Sequence, residues 1–284
     1  MRKKEVHGNA GHVAQGWRTD TYRHLASQPN THVITIDYRG FGQSKGSPTE
    51  AGIVADGTAL LNWVLKAAGI PPERIVLLGQ SLGTAVASAV ALRFVDPDNA
   101  LLSPLIREGD SVEAEPFLHA EDDPIRLRTF AGIILVAPFY SLPSLMLTYR
   151  IGGLLPLLLP LRPFPSFASW ITDKMVDTWP TGERLRAYYD VLVNSPKLLS
   201  GAHGRRLGSV QVLHATNDAD ISYRQTEMIC RRMLEEFEMS IDGSRGGPTL
   251  DVTIPGRPGV RFEIVEHGGR QNPVLRPLLE RACG

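Results

Sequence analysis

Residues 75–91 read Ile75-Val76-Leu77-Leu78-Gly79-Gln80-Ser81-Leu82-Gly83-Thr84-Ala85-Val86-Ala87-Ser88-Ala89-Val90-Ala91. A short, wholly apolar run followed by glycine and then by small residues is the pattern of a buried strand that turns sharply into a helix packed close on a sheet. Within it lies G-x-S-x-G, with glycines where a Cβ would collide and a serine lifted above the strand end. The same pattern occurs at Gly42-Gln43-Ser44-Lys45-Gly46, but there it follows a glycine-rich loop and precedes Pro48. Context therefore selects Ser81 as the candidate nucleophile and leaves Ser44 in a turn between strand and helix.

Outward from this unit, apolar and amphipathic stretches alternate. Expected strands cover residues 31–36, 74–78, 131–136, 210–214 and 260–265, and expected helices cover residues 49–68, 82–94 and 222–237. Strands alternating with helices imply an α/β domain with a mostly parallel sheet. Two segments interrupt the alternation. Residues 96–128 are acidic and aperiodic, which suits a surface insertion. Residues 141–199 include a proline-broken apolar stretch whose uncharged run, residues 151–161, is too short for the ~20 residues a bilayer crossing needs. The expected organisation is a core of residues 1–140 and 200–284 carrying that acidic insertion, with residues 141–199 as an apolar lid able to make peripheral membrane contact. Leu154, Leu155, Leu157, Leu158, Leu159, Leu161, Phe164 and Phe167 are the lid positions expected either to pack on the sheet edge or to line an acyl channel.

The 284 residues carry 30 Lys and Arg against 30 Asp and Glu, so no surplus charge draws the chain to nucleic acid. Cys230 and Cys283 are too few and too scattered for a disulfide framework or a metal cluster. Residues 1–6 (MRKKEV) are followed directly by His7 and Gly8 with no apolar signal region, so an intracellular protein is expected.

A serine nucleophile needs N–H donors aimed at the developing oxyanion. Leu82 N–H supplies one, and the loop His7-Gly8-Asn9-Ala10-Gly11 offers a second through Asn9 N–H. Together HGNAG, DYRGFGQS from Asp37 to Ser44, the SPTE that follows, and GQSLGT resemble the α/β-hydrolase-domain family near its lysophospholipase and monoacylglycerol lipase branch. The match is dense from His7 to about Phe94 and resumes at residues 133–140 and 210–218. The resemblance implies an eight-stranded hydrolase sheet, a Ser-Asp-His triad, no cofactor or metal, and an acyl-ester or lipid substrate. It also makes DYRGFG a structural turn, without a catalytic role for Ser44 or Asp37.

In that pattern a histidine, three residues and then the acid follow a late strand, which His214 to Asp218 (HATND) satisfies. His119 to Asp123 (HAEDD) has the same spacing but sits in the acidic insertion, while Asp220 is an alternative acid or a cap for the helix near Ser222. The base should lie after the last strand, where His267 stands. The family's usual histidine position falls on Arg270, which cannot take a proton from serine. Residues 1–6 also lack the apolar character of the central strand expected just before HGN, and both departures would follow from a truncated or mis-spliced gene model. The expected activity is hydrolysis of ester or thioester bonds of monoacylglycerols or lysophospholipids through Ser81, Asp218 and His267. The alternatives are a thioesterase acting on acylated proteins and a non-catalytic hydrolase-fold binding protein.

Overall fold

A computed structural model of the chain describes residues 2–6, 12–102, 129–148, 150–151, 155–156, 175–199, 207–234, 249–252 and 257–266. Its centre is β3 (Ile75–Gln80), six residues all buried. β1 (Arg2–Val6) pairs with β3 on one side, Val6 opposite Gly79, and β4 (Gly132–Val136) pairs with it on the other. β7 (Ser209–Ala215) and β9 (Val260–Val265) extend the parallel ladder. β2 (Val33–Ile34) closes one edge beside β1, and β8 (Thr249–Val252) closes the other, antiparallel to β9. The order β2-β1-β3-β4-β7-β9-β8 makes seven strands among the described residues, against the eight that the resemblance implies.

Residues 1–6, expected from their charges not to form the central strand, are a correction: Arg2–Val6 is laddered to both β2 and β3. Backbone pairing on two edges places this strand whatever its intrinsic preference, because strand propensity depends mostly on the neighbours available. The strand read at residues 31–36 is reduced to Val33–Ile34.

Two clusters cover the sheet, and β3 divides its side chains between them. Ile75 and Leu77 join the main core, whereas Val76 and Leu78 join a smaller one with Ile134, Val136, Leu213 and Leu25 of α1 (Trp17–Ala26). That alternation follows from the two-residue period of a strand. The main core is filled by α2 (Glu50–Asn62), α3 (Leu82–Val95), α5 (Thr181–Asn194) and α6 (Arg224–Met233). α2 starts as its SPTE sequence suggests: the side chain of Thr49 accepts the Gly52 N–H at 3.2 Å. It then widens into a π-helical turn, Trp63–Ala67.

The segment read as a lid divides. α4 (Leu142–Thr148) and the hairpin of β5 (Arg150–Ile151) and β6 (Leu155–Pro156) belong to its first part. In α5, by contrast, Leu185, Tyr188, Tyr189 and Leu192 are at most 1% exposed within the main core, so this helix is the crossover between β4 and β7. Leu154, Leu157, Leu158, Leu159, Leu161, Phe164 and Phe167 lie outside the described residues, as does most of the acidic insertion, including His119 and Asp123. Among the described residues no helix is long and apolar enough to cross a membrane.

A buried ion pair ties the return of this segment to the core. Arg184 Nη2 lies 2.7 Å from Glu50 Oε1, the side chains being 2% and 8% exposed. Glu50 Oε2 also accepts the Trp179 N–H at 3.0 Å, and the Glu50 N–H donates to Asp177 Oδ2 at 3.1 Å. A charge at the start of α2 is tolerated inside because its partner and its hydrogen bonds are buried with it.

Candidate active site

β1, β3, β4, β7 and β9 are parallel, so their C-terminal ends open on the same side, where loops of open α/β sheets form binding sites. Ser81 follows β3, Asp218 lies three residues beyond β7, and the strands β1 and β9 lead into Asn9 and His267. Asn9, His267 and Arg270 lie outside the described residues.

Ser81 occupies a conformation that L-residues rarely adopt, φ 52° and ψ −119°, at the N-cap of α3. Two constraints hold it there. Its N–H donates to Val136 O of β4 at 3.0 Å, and its carbonyl accepts the Thr84 N–H at 2.9 Å. Gly79 makes the turn possible: a Cβ there would stand 2.3 Å from Gly83 O and 2.8 Å from Thr84 Cα. The glycine before the serine is therefore fixed by a backbone-to-backbone approach. Ser81 is 7% exposed, and among the described residues its Oγ has no hydrogen-bond partner. Leu82 is the first helical residue, so its N–H lacks an intrahelical acceptor and adds to the positive end of the helix dipole beside the serine.

The neighbouring strand ends are stitched in the same way. The Ala137 N–H donates to Leu213 O at 2.8 Å and the Thr216 N–H to Val265 O at 2.8 Å, which carries the ladder from the serine turn across to β9. Ala137 is also left-handed, at φ 49°.

Asp218 sits in the turn between β7 and α6 with its side chain 4% exposed. Its Oδ1 accepts the N–H groups of Asp220 and Ile221, each at 2.9 Å, which anchors one carboxylate oxygen in the turn. Asp220 thus contributes a backbone N–H to Asp218. The expected helix cap is corrected: α6 begins at Arg224 after Tyr223, with no side-chain cap. One carboxylate oxygen is thus held by backbone donors, in a turn whose Thr216, Asn217 and Ala219 are exposed.

The second pentapeptide has other partners. Ser44 Oγ donates to Asp37 O at 2.7 Å, and Asp37 Oδ1 accepts the Val13 N–H at 2.7 Å. Gly42, at φ +55°, passes so near Asp37 that a Cβ would lie 2.2 Å from its Oδ2. Burial pushes the Cys230 thiol up to about 11, so this cysteine stays protonated within the core and offers no rival nucleophile. Among the described residues no group of three or more His, Cys, Asp or Glu is placed to hold a metal ion.

The sequence reading missed Ala137 as part of the scaffold, and it treated α5 as lid. The signal for α5 was present in the i, i+3, i+4, i+7 spacing of Leu185, Tyr188, Tyr189 and Leu192.

A family profile described as "Alpha/beta hydrolase family" matches residues 6–257. The chain is similar to lysophosphatidylserine lipase ABHD12 of Danio rerio, 38% identical over 117 residues, which cover 39% of this chain and 30% of the relative. It is also similar to the uncharacterized protein YfhR of Salmonella typhi, 41% identical over 78 residues, 28% of this chain and 26% of that one. The matched stretches thus span under a third of these relatives' lengths. Among solved structures, an alpha-beta hydrolase from Vibrio vulnificus superposes with a TM-score of 0.60 at 13% identity, covering 99% of this chain and 72% of that one. The Pyrococcus furiosus esterase Pf2001 does so with a TM-score of 0.52 at 13% identity, covering 99% and 78%. At these identities the structures speak for the fold.

Proposed function

The chain belongs to the alpha/beta hydrolase family, and from that premise we propose that it is a serine hydrolase cleaving carboxylic ester bonds of lipid-like substrates such as monoacylglycerols or lysophospholipids. The observation that carries this reading is the Ser81 turn: a serine at φ 52° between β3 and α3, bound through its main chain and with an uncommitted Oγ among the described residues. The buried carboxylate of Asp218, in the turn after β7, supports it. A relative named for lysophosphatidylserine hydrolysis supports the substrate class.

In this reading Ser81 Oγ attacks the acyl carbonyl as His267 takes its proton, and the N–H groups of Leu82 and Asn9 hold the oxyanion. Collapse of the tetrahedral intermediate expels the alcohol, which receives the proton from His267. Water then repeats the sequence on the acyl-enzyme, releasing the fatty acid and restoring Ser81. Asp218 fixes the imidazole and stabilises its protonated form.

A fluorophosphonate probe tests the proposal, because phosphonylation requires an activated hydroxyl. We expect peptide mapping to place the adduct on Ser81 and Ser81→Ala to abolish it. Folded protein that takes no label would overturn the enzymatic reading in favour of a binding role.

A further inference from the structure

We propose that His214 is the positioning residue for Asp218, locking the acid's turn and presenting an N–H dipole to its carboxylate. This inference rests on the reading of Asp218 as the triad acid.

His214 is the penultimate residue of β7 and is 2% exposed. Its Nε2 lies 2.9 Å from the Ile221 carbonyl. A carbonyl only accepts, so Nε2 carries a proton. Nδ1 lies 2.7 Å from Thr226 Oγ1 on α6, and in the neutral ring it accepts that hydroxyl's proton. One ring therefore joins the strand before the turn, the residue that ends the turn and the helix after it.

Asp218 is enclosed by this frame. The Asp218 N–H donates to Ala215 O at 3.2 Å, and Asp218 Oδ1 accepts from Asp220 and Ile221, the second being the residue whose carbonyl His214 holds. The Ile221 peptide is thus gripped on both sides, by the acid through its N–H and by His214 through its C=O. Asp218 Oδ2 lies 3.9 Å from His214 Nε2, too far for a hydrogen bond and near enough to feel the positive end of the N–H dipole. Oδ1 is taken by backbone donors, so the orientation of Oδ2 decides how the carboxylate meets the base. An error of about 1 Å in such a contact can cost about 10²-fold in rate. A histidine serving only as core filling needs its two nitrogens satisfied, but it has no reason to bind the very residue that ligates the acid.

The test separates the two ring nitrogens. His214→Gln returns a donor near the Nε2 position, whereas His214→Asn reaches only the Nδ1 position and leaves Ile221 O unpaired. With nitrophenyl octanoate and folded protein quantified by circular dichroism, we expect His214→Asn to lower kcat by about 30–100-fold with KM nearly unchanged. His214→Gln should stay within about fivefold of the parent. A displaced carboxylate stabilises the imidazolium less, so the acid limb of kcat/KM should move to lower pH in His214→Asn and stay in His214→Gln. Thr226→Val, which keeps the histidine but frees its ring, should reproduce part of the kcat loss and covers the case in which His214→Asn does not fold. Parent-like kcat in His214→Asn or, where that variant does not fold, in Thr226→Val overturns the inference. So do equal kcat losses in the Asn and Gln variants with an unmoved acid limb. Asp218→Asn is run beside them: if it remains active, the assignment of the acid itself fails, whereas an inactive Asp218→Asn with a fully active His214→Asn refutes only the role of His214.

Discussion

At residues 42–46 and 79–83 the chain writes the same G-Q-S-x-G, and the two serines end in opposite situations. Ser44 closes a turn with its hydroxyl, donating to Asp37 O at 2.7 Å, and its glycine gives way to the Asp37 carboxylate. Among the described residues Ser81 is held by its main chain alone, through Val136 O and Thr84 N–H, with no structural bond to its hydroxyl. The pentapeptide therefore specifies a tight backbone approach, and the elements around it decide whether the serine is a fastener or a reagent. A strand buried on both faces and a helix of alanines force the second outcome.

The largest test of that contrast is the same substitution at both sites. Ser81→Ala should lower kcat/KM by about 10⁴-fold or more, since loss of a nucleophile leaves only binding and oxyanion contributions. Ser44→Ala should stay within about twofold on the same nitrophenyl esters. Equal losses would mean that the two turns cannot be told apart by their hydrogen bonds.

The acid at the Ser44 turn and the acid assigned to Ser81 come next. Asp218→Asn should cost about 10²–10⁴ in kcat, because the amide can no longer stabilise a protonated base. Asp37→Asn weakens the grip on the Val13 N–H and should lower stability while leaving kcat per folded molecule intact. Steady-state kinetics beside thermal melts of both variants would show whether the effects separate in this way.

The glycines rank below. A Cβ on Gly79 meets Gly83 O at 2.3 Å and Thr84 Cα at 2.8 Å, all main chain, so Gly79→Ala must push strand and helix apart at a cost of about 4 kcal/mol or more. At Gly42 the obstacle is a side chain that can rotate, and the penalty is about 2 kcal/mol of positive-φ strain and a weakened hydrogen bond. Urea unfolding of the two alanine variants should preserve that order.

How far the sequence disclosed this arrangement depended on whether local pattern or distant pairing set the structure. β3 and α3 were legible because burial on both faces or close helix packing leaves continuous apolar or small-residue runs, and β9 because Val260, Phe262 and Ile264 recur with the two-residue period of a strand. Arg2–Val6 was not, since its strand is defined by the ladders to Val33–Ile34 and Ile75–Gly79 rather than by its own residues. The π turn at Trp63–Ala67 was not legible either, because a single i→i+5 turn continues the helix with the same kinds of residue. The turn that carries Asp218 was legible through its place after an apolar strand. The hold of Asp218 on the Ile221 N–H was not, because an Asp-to-backbone turn has many sequences and one geometry.

The smallest prediction sets the stabilities of the two serine turns against each other. At φ 52° and ψ −119° a Cβ is strained by about 1–3 kcal/mol, a cost the Val136 and Thr84 hydrogen bonds hold in place. Ser81→Gly removes the strain but gains unfolded-chain entropy of roughly 1 kcal/mol, so the net expectation is a stabilisation of up to about 2 kcal/mol in an inactive protein. Ser44→Ala moves the other way. It deletes the bond from Oγ to Asp37 O from a half-buried turn and should destabilise by about 1 kcal/mol with activity unchanged. Urea midpoints shifted in opposite directions, with activity lost only in the more stable variant, would mean that the fold bears strain at Ser81 to keep its hydroxyl free. Shifts of the same sign would mean that Ser81 is fastened like Ser44, and the contrast between the two turns would then be one of position alone.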